Sequence, residues 1–111
     1  MLWHMHLMGN IQHLADRDGI ICVRLQDAVA TAFRFNAAPK IPKFDGNDLR
    51  RGGGDLEATA EQCAKLFAAA GEPELLRVVF ADYSIIVEKH GTTTVVVVMI
   101  SGHSVAKSVH R

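Results

Sequence analysis

The stretch that decides the fold is GTTTVVVVMISGH, residues 91–103, in which four consecutive valines are followed by Met99 and Ile100. The apolar run is six residues long, far short of the roughly 20 that a membrane-spanning helix needs. Branching at Cβ disfavours a helix here and suits a pleated sheet. As an exposed edge strand, this uncharged segment without proline would be a template for aggregation. We therefore expect residues 95–100 to form an interior strand that is covered on both faces.

Four further segments show the pattern of strands. Two come before the valine run, LRVVF at 76–80 and SIIVEKH at 84–90, and Gly91 turns the second of them into the run itself. Earlier in the chain, IICVRL at 20–25 and AVATAFRF at 28–35 are separated by only two residues, which predicts a tight hairpin.

The clearest helix pattern is DLEATAEQCAKLFAAAG, residues 55–71, with Asp55 as the expected N-cap and Gly71 and Pro73 ending the helix. At about 100° per residue its side chains separate into three groups. The apolar stripe consists of Leu56, Ala60, Cys63, Phe67 and Ala70; the charged stripe consists of Glu57, Glu61 and Lys65; a weakly polar flank consists of Thr59, Gln62, Leu66 and Ala69. With this flank included, the weakly polar part of the helix is wider than the part that one sheet face would cover. A second surface is therefore expected to cover the flank.

Two shorter helices and a long loop complete the pattern. Residues 2–15 favour a first helix that is broken or loosened near Gly9 and ends at DRDG, 16–19. Residues 36–54, rich in glycine, proline and charge, are expected to be a loop, and HSVAKSVHR after Gly102 begins like a last helix.

The predicted order is therefore α-β-β-α-β-β-β-α in a single domain, residues 1–111. Because nearly all the strand connections are short, the fold class is α+β, with a five-stranded, mainly antiparallel sheet and helices on both faces. The valine run acquires two covered faces if the last strand lies in the middle of the sheet, next to the first strand.

Charge and cysteine content restrict the classes of function. Twelve basic and twelve acidic residues cancel, so the chain lacks the basic surface that nucleic-acid binding usually needs. Cys22 and Cys63 have neither redox-motif nor zinc-site spacing and are expected to be buried free thiols, as suits a reducing cytoplasm. The amino terminus lacks the basic start and cleavage site of a signal peptide. We expect a cytoplasmic protein with no membrane insertion.

Candidate chemical sites are weak. His4 and His6 suggest a metal, but residues two apart on a helix point in different directions. FDGNDLRRGGGD, residues 44–55, matches neither a calcium loop nor a P-loop and is expected to be a flexible loop or a contact loop for a partner. Polar groups at turns and strand ends, namely Glu88, His90, Ser101, His103 and Ser104, do not form a catalytic pattern. We expect no metal, no cofactor and no catalytic residues, so the chain is not predicted to be an enzyme.

The segment from Asp55 to Arg111 resembles the Roadblock/LC7 family. The resemblance lies in the amphipathic middle helix, then LLRVVFADYSIIVEKHG, then the apolar strand TTTVVVVMI, a short corner and a helix that opens SVAKSVHR. It covers about half of the chain well. The loop at 36–54 is longer than the family pattern, and Ala106 stands where members often carry glycine.

The resemblance implies a homodimer in which the third strand and second helix of two copies pair and form one continuous sheet. It also implies a regulatory platform for a small Ras-like GTPase or another switch or motor protein. Leu75 to Phe80 would form an edge strand with Arg77 as its only charge, which independently favours a partner at that edge. The predicted dimer contact consists of Thr59, Gln62, Leu66, Ala69, Arg77 and Val79.

Two alternatives remain open. A sheet surrounded by helices is also the architecture of profilin-like and PAS-like domains that sense small molecules, and an internal pocket with convergent polar groups would favour that function. A minor enzyme that uses His90 or His103 is the other alternative, which an activity tied to either histidine would reveal.

Overall fold

The computed structural model describes residues 8–37, 43–44, 47–48 and 53–100. Within these ranges the chain forms two helices, a five-stranded sheet and a two-stranded ribbon. The helices are α1 (Ile11–Ala15) and α2 (Gly53–Ala69); the strands are β1 (Ile20–Gln26), β2 (Thr31–Phe35), β3 (Lys43–Phe44), β4 (Asn47–Asp48), β5 (Leu76–Val79), β6 (Tyr83–His90) and β7 (Thr93–Ile100).

The valine run forms the central strand of the large sheet. Its strand order is β2-β1-β7-β6-β5, and every neighbouring pair is antiparallel. Val95 of β7 lies opposite Leu25 of β1 and Glu88 of β6, so both sides of the run are hydrogen-bonded to other strands. The α+β class, the antiparallel sheet and the position of β7 next to β1 are therefore confirmed.

The two faces of the sheet carry separate apolar clusters. Val96 and Val98 are fully buried in a cluster with Phe67 of α2, whereas Val95 belongs to a second cluster with Ile11 of α1. This separation follows from the alternation of side chains along a strand. Cover on the α1 face is incomplete among the described residues, because Val97 and Met99 are only half-buried. The expectation of two covered faces is thus met fully on the α2 face and in part on the other.

The packing of α2 follows its sequence pattern, with two changes. Leu56, Ala60, Cys63 and Phe67 are buried as predicted. Ala64 is buried as well, and Ala70 is exposed because the helix ends at Ala69.

The end of α2 is fixed by backbone hydrogen bonds around Gly71. The N–H of Gly71 donates to the carbonyl of Ala68 (3.1 Å), and the N–H of Glu72 donates to the carbonyl of Phe67 (3.0 Å). This pair of bonds is the Schellman pattern, in which the residue after the C-cap takes a left-handed conformation. Gly71 has φ +86°, so the predicted stop at this glycine is correct and has a specific geometry.

Several predicted boundaries need correction. The connection between β1 and β2 is the four residues 27–30 and not a two-residue turn, because Asp27 Oδ1 accepts hydrogen bonds from the N–H groups of Val29 (2.7 Å) and Ala30 (2.8 Å). Helix α2 begins at Gly53, so Asp55 lies inside it and is not the N-cap. The expected loop at 36–54 contains the β3–β4 ribbon and the start of α2. The amino-terminal part of the predicted first helix and the predicted last helix lie outside the described residues.

Candidate functional site

The predicted dimer contact lies on two neighbouring elements. Thr59, Gln62, Leu66 and Ala69 follow one flank of α2, where Thr59 is half-buried and the others are exposed. Arg77 and Val79 are exposed on β5, which forms an edge of the large sheet.

The sheet divides these six residues between its two sides. Leu76 and Val78 pack against the cluster under α2, so the alternating residues Arg77 and Val79 project from the opposite side of β5. The six residues therefore do not lie on one face: four follow a flank of α2, and two project from the opposite side of β5. A partner that touched all of them would have to meet the edge itself.

Exposed apolar side chains occur on α2 and around β5. The large apolar residues with the greatest exposure in the described chain are Val29 (87 %), Val79 (66 %), Leu66 (53 %), Leu75 (50 %) and Phe80 (38 %). All except Val29 lie on α2 or on β5 and its flanking residues. Such side chains beside the unpaired side of a strand are typical of a surface that another protein covers.

The turn after β5 is closed by a backbone hydrogen bond and a ring contact. The N–H of Phe80 donates to the carbonyl of Tyr83 (2.8 Å), and the two rings contact each other with centroids 4.8 Å apart. Because this turn holds β5 against β6, the outer side of β5 is presented as a preformed edge.

A cleft of about 460 Å³ opens on the other flank of α2. It is bounded by Glu61, Lys65 and Ala68 of the helix, by Arg24 of β1 and by Thr94 of β7. Arg24 lies opposite Val96 in the register, and Val96 belongs to the cluster under α2; the Arg24 side chain therefore projects towards the helix.

Arg24 is the unusual residue of this cleft. Its exposed fraction is 8 %, and its Nη1 donates a hydrogen bond to Oε1 of Gln26 at 2.7 Å. The structure records no ion pair between Arg24 and any described carboxylate. By contrast, Lys89 Nζ lies 3.1 Å from Glu72 Oε2, and Lys65 Nζ lies 3.8 Å from Glu61 Oε2. A buried guanidinium with a neutral partner is uncommon, because burial of a charge is unfavourable unless it is compensated.

Sequence reasoning did not single out this cleft. The signal was Arg24 itself, the only charge in a segment, IICVRLQ, whose other residues are apolar apart from the terminal glutamine. Along the chain it looked like an ordinary polar position, and only the tertiary packing of α2 places it under a helix.

A second groove, of about 330 Å³, lies on the opposite face beside α1. Its lining is mostly apolar and includes Leu14, Val97 and Met99, with Arg17 and His90 among its polar groups. His90 Nε2 is 3.3 Å from Glu88 Oε2, and both side chains are about 40 % exposed. A pair at this exposure is solvated.

Both cysteines are buried thiols. Desolvation raises the pKa of Cys22 to about 12, with a smaller contribution from the negative charge of Glu57, and burial also raises the pKa of Cys63. Because the thiolate is the reactive form, both are unsuited to nucleophilic chemistry at neutral pH.

The remaining predicted sites cannot be located fully within the described residues. His4, His6, Ser101, His103 and Ser104 lie outside the described residues, as does half of the 44–55 segment. In the part of the chain that the structure describes, no three histidine, cysteine, aspartate or glutamate side chains are placed to hold a metal ion. No described helix is both long enough and apolar enough to cross a bilayer.

Comparison with models of protein families and with curated proteins finds no match for this chain.

Proposed function

We propose that this chain is a non-catalytic regulatory scaffold that acts as a homodimer in the cytoplasm and binds a small Ras-like GTPase or a similar switch or motor protein. The observation that carries the proposal is the exposed apolar surface on and beside β5, where Leu75, Val79 and Phe80 accompany a strand that is paired on one side only. Leu66 adds an exposed apolar side chain on α2. The class of partner comes from the resemblance of residues 55–111 to the Roadblock/LC7 family. The proposed fold is accordingly Roadblock/LC7-like, with a final helix after β7.

The dimer follows from the chemistry of β5. Two antiparallel copies of the strand would satisfy each other's outward N–H and C=O groups and would join the two sheets into one. The exposed flank of α2 would meet its counterpart across the same axis, which explains why a helix of this amphipathicity carries Leu66 at an exposed position. Arg77 is the only charge on the strand, so self-association meets little electrostatic opposition.

Light scattering at micromolar protein concentration tests the dimer. We expect the mass of two chains for the natural sequence and the mass of one chain for Leu66→Asp and for Val79→Lys. The matched controls are Ala68→Asp, on the opposite flank of the same helix, and Val29→Lys, in the β1–β2 connection; both should remain dimeric. A natural chain that is monomeric, or a dimer that both edge variants leave intact, would refute the proposed interface.

Co-purification from the native host tests the partner. We expect a small GTPase to be recovered with the natural chain, and its direct binding to be reproduced with both purified proteins. In this proposal the chain affects nucleotide hydrolysis only by holding the partner's switch segments, since no residue is proposed to be donated to the nucleotide. Absence of any switch or motor protein among the recovered proteins would count against this class of partner.

A second function, sensing of a small molecule, is favoured by the cleft that contains Arg24. The cleft and the proposed dimer surface lie on opposite flanks of α2, so the two functions are sterically compatible. The dimer is the first proposal because the exposed apolar side chains require cover, whereas an open polar cleft is stable in water.

A further inference from the structure

Arg24 occupies an environment that a purely structural arginine would not be expected to occupy. It is more than nine-tenths buried, yet the hydrogen bond recorded for its guanidinium goes to the neutral amide of Gln26. An arginine carries five N–H donors in a fixed fork that matches the two oxygens of a carboxylate or phosphate. Most of this donor capacity is therefore available to a molecule that enters the cleft.

The charges around the cleft restrict what that molecule can be. Glu72 is paired with Lys89 and Glu61 with Lys65, and Asp27 Oδ1 accepts two backbone hydrogen bonds. The three carboxylates and the three cations that line the cleft cancel. An anion with a single charge matches the one positive charge of Arg24, whereas the second charge of a phosphate dianion would have no further cation to balance it, because both lysines of the cleft are already paired with glutamates.

One side of the cleft is polar, and the other is lined by small residues. Thr92 and Thr94 supply hydroxyl groups, and Ala28, Ala64 and Ala68 leave space that larger side chains would fill. A volume of about 460 Å³ lies within the range of roughly 300–1,000 Å³ that is usual for small-molecule sites.

We propose that this cleft binds a small organic monocarboxylate, with the Arg24 guanidinium donating two hydrogen bonds to the carboxylate. The threonine hydroxyls bond to polar groups on the body of the ligand, and the alanine wall of α2 contacts its apolar part. The site is independent of the proposed dimer, because it uses the flank of α2 opposite to the one that is proposed to join the dimer contact.

Titration followed by NMR tests the site with defined probes. Propionate and 2-hydroxypropanoate are added to the full chain, with inorganic phosphate and chloride at equal ionic strength as comparison anions. We expect amide shifts concentrated at residues 24–28 and 92–94, saturating in the millimolar range that fragments of this size reach. Propionate shifts equal to those from chloride, or tighter binding of phosphate than of either carboxylate, would overturn the proposal.

Three variants separate binding from folding. Arg24→Gln and Ala68→Leu, which fills the cleft without altering Arg24, should each weaken carboxylate binding at least tenfold. Arg34→Gln, at an exposed arginine of β2, should leave binding unchanged. Undiminished binding by a folded Ala68→Leu chain would overturn the proposal even if Arg24→Gln fails to fold.

The stability of an Arg24→Met chain provides a second readout. A buried cation that is held for a ligand destabilises the fold when no ligand is bound. Its replacement by an apolar side chain of similar length should therefore leave the midpoint of urea unfolding unchanged or raise it. A large fall in the midpoint would show that Arg24 serves the fold and would contradict the assignment.

Discussion

At the scale of single residues, burial determines what each side chain can do. Cys22 has no exposed surface, and desolvation raises its pKa from 9.0 to about 12. In the unfolded chain the thiol returns to its ordinary pKa. Because the native pKa is the higher one, the contribution of this thiol to stability is fully present below pH 9 and is lost as the pH rises towards 12.

This shift gives a pH-dependent prediction for Cys22→Ala. The difference in free energy of unfolding between the natural chain and the variant should decrease above pH 9, by at most about 1.4 kcal/mol per pH unit. Urea denaturation at a series of alkaline pH values measures it. Cys63 titrates in both proteins and so cancels from the comparison. A difference that stays constant across this range would contradict the raised pKa.

At the scale of elements, the ends of helices and strands depend on individual backbone geometries. Gly71 ends α2 with φ +86°, a conformation that other residues adopt only with strain. A Cβ built at this position meets no atom within 4 Å, so any cost of substitution comes from the backbone alone.

Gly71→Ala is therefore expected to reduce the free energy of unfolding by about 1 kcal/mol without a change of fold. Chemical denaturation measures the loss. Gly9→Ala is a suitable control, because Gly9 has no neighbour within 4 Å of its built Cβ and does not have positive φ. An equal effect of the two substitutions would show that the Schellman geometry is not responsible.

Individual elements also show which parts of the structure the sequence could predict and why other parts were missed. The run at 95–100 identified the central strand because its β-branched, uncharged composition fits only the interior of a sheet. The β1–β2 connection was misplaced because the Asp27 carboxylate, and not a turn dipeptide, organises it. The cleft was missed because no pattern along the chain shows that α2 packs over the side of β1 that bears Arg24.

At the scale of the whole molecule, α2 has two different flanks separated by its buried stripe. One flank and the β5 edge carry exposed apolar side chains, and the other flank borders the cleft. Association should therefore be insensitive to the ligand site. Arg24→Gln is expected to retain the mass of the natural chain in light scattering, and a monomeric but folded Arg24→Gln protein would show instead that the two sides are coupled.

In the proposed dimer, β5 pairs with β5 of a second copy. Amide hydrogen exchange, followed by mass spectrometry over a range of protein concentrations, tests it most directly, since strand pairing protects the backbone itself. We predict that residues 76–79 exchange more slowly as the concentration rises, while β2 at the opposite edge of the sheet shows no change. If the exchange rate of residues 76–79 does not depend on concentration in a chain shown to be dimeric, the dimer contact lies elsewhere. If the chain is monomeric and the rate does not depend on concentration, the dimer is refuted.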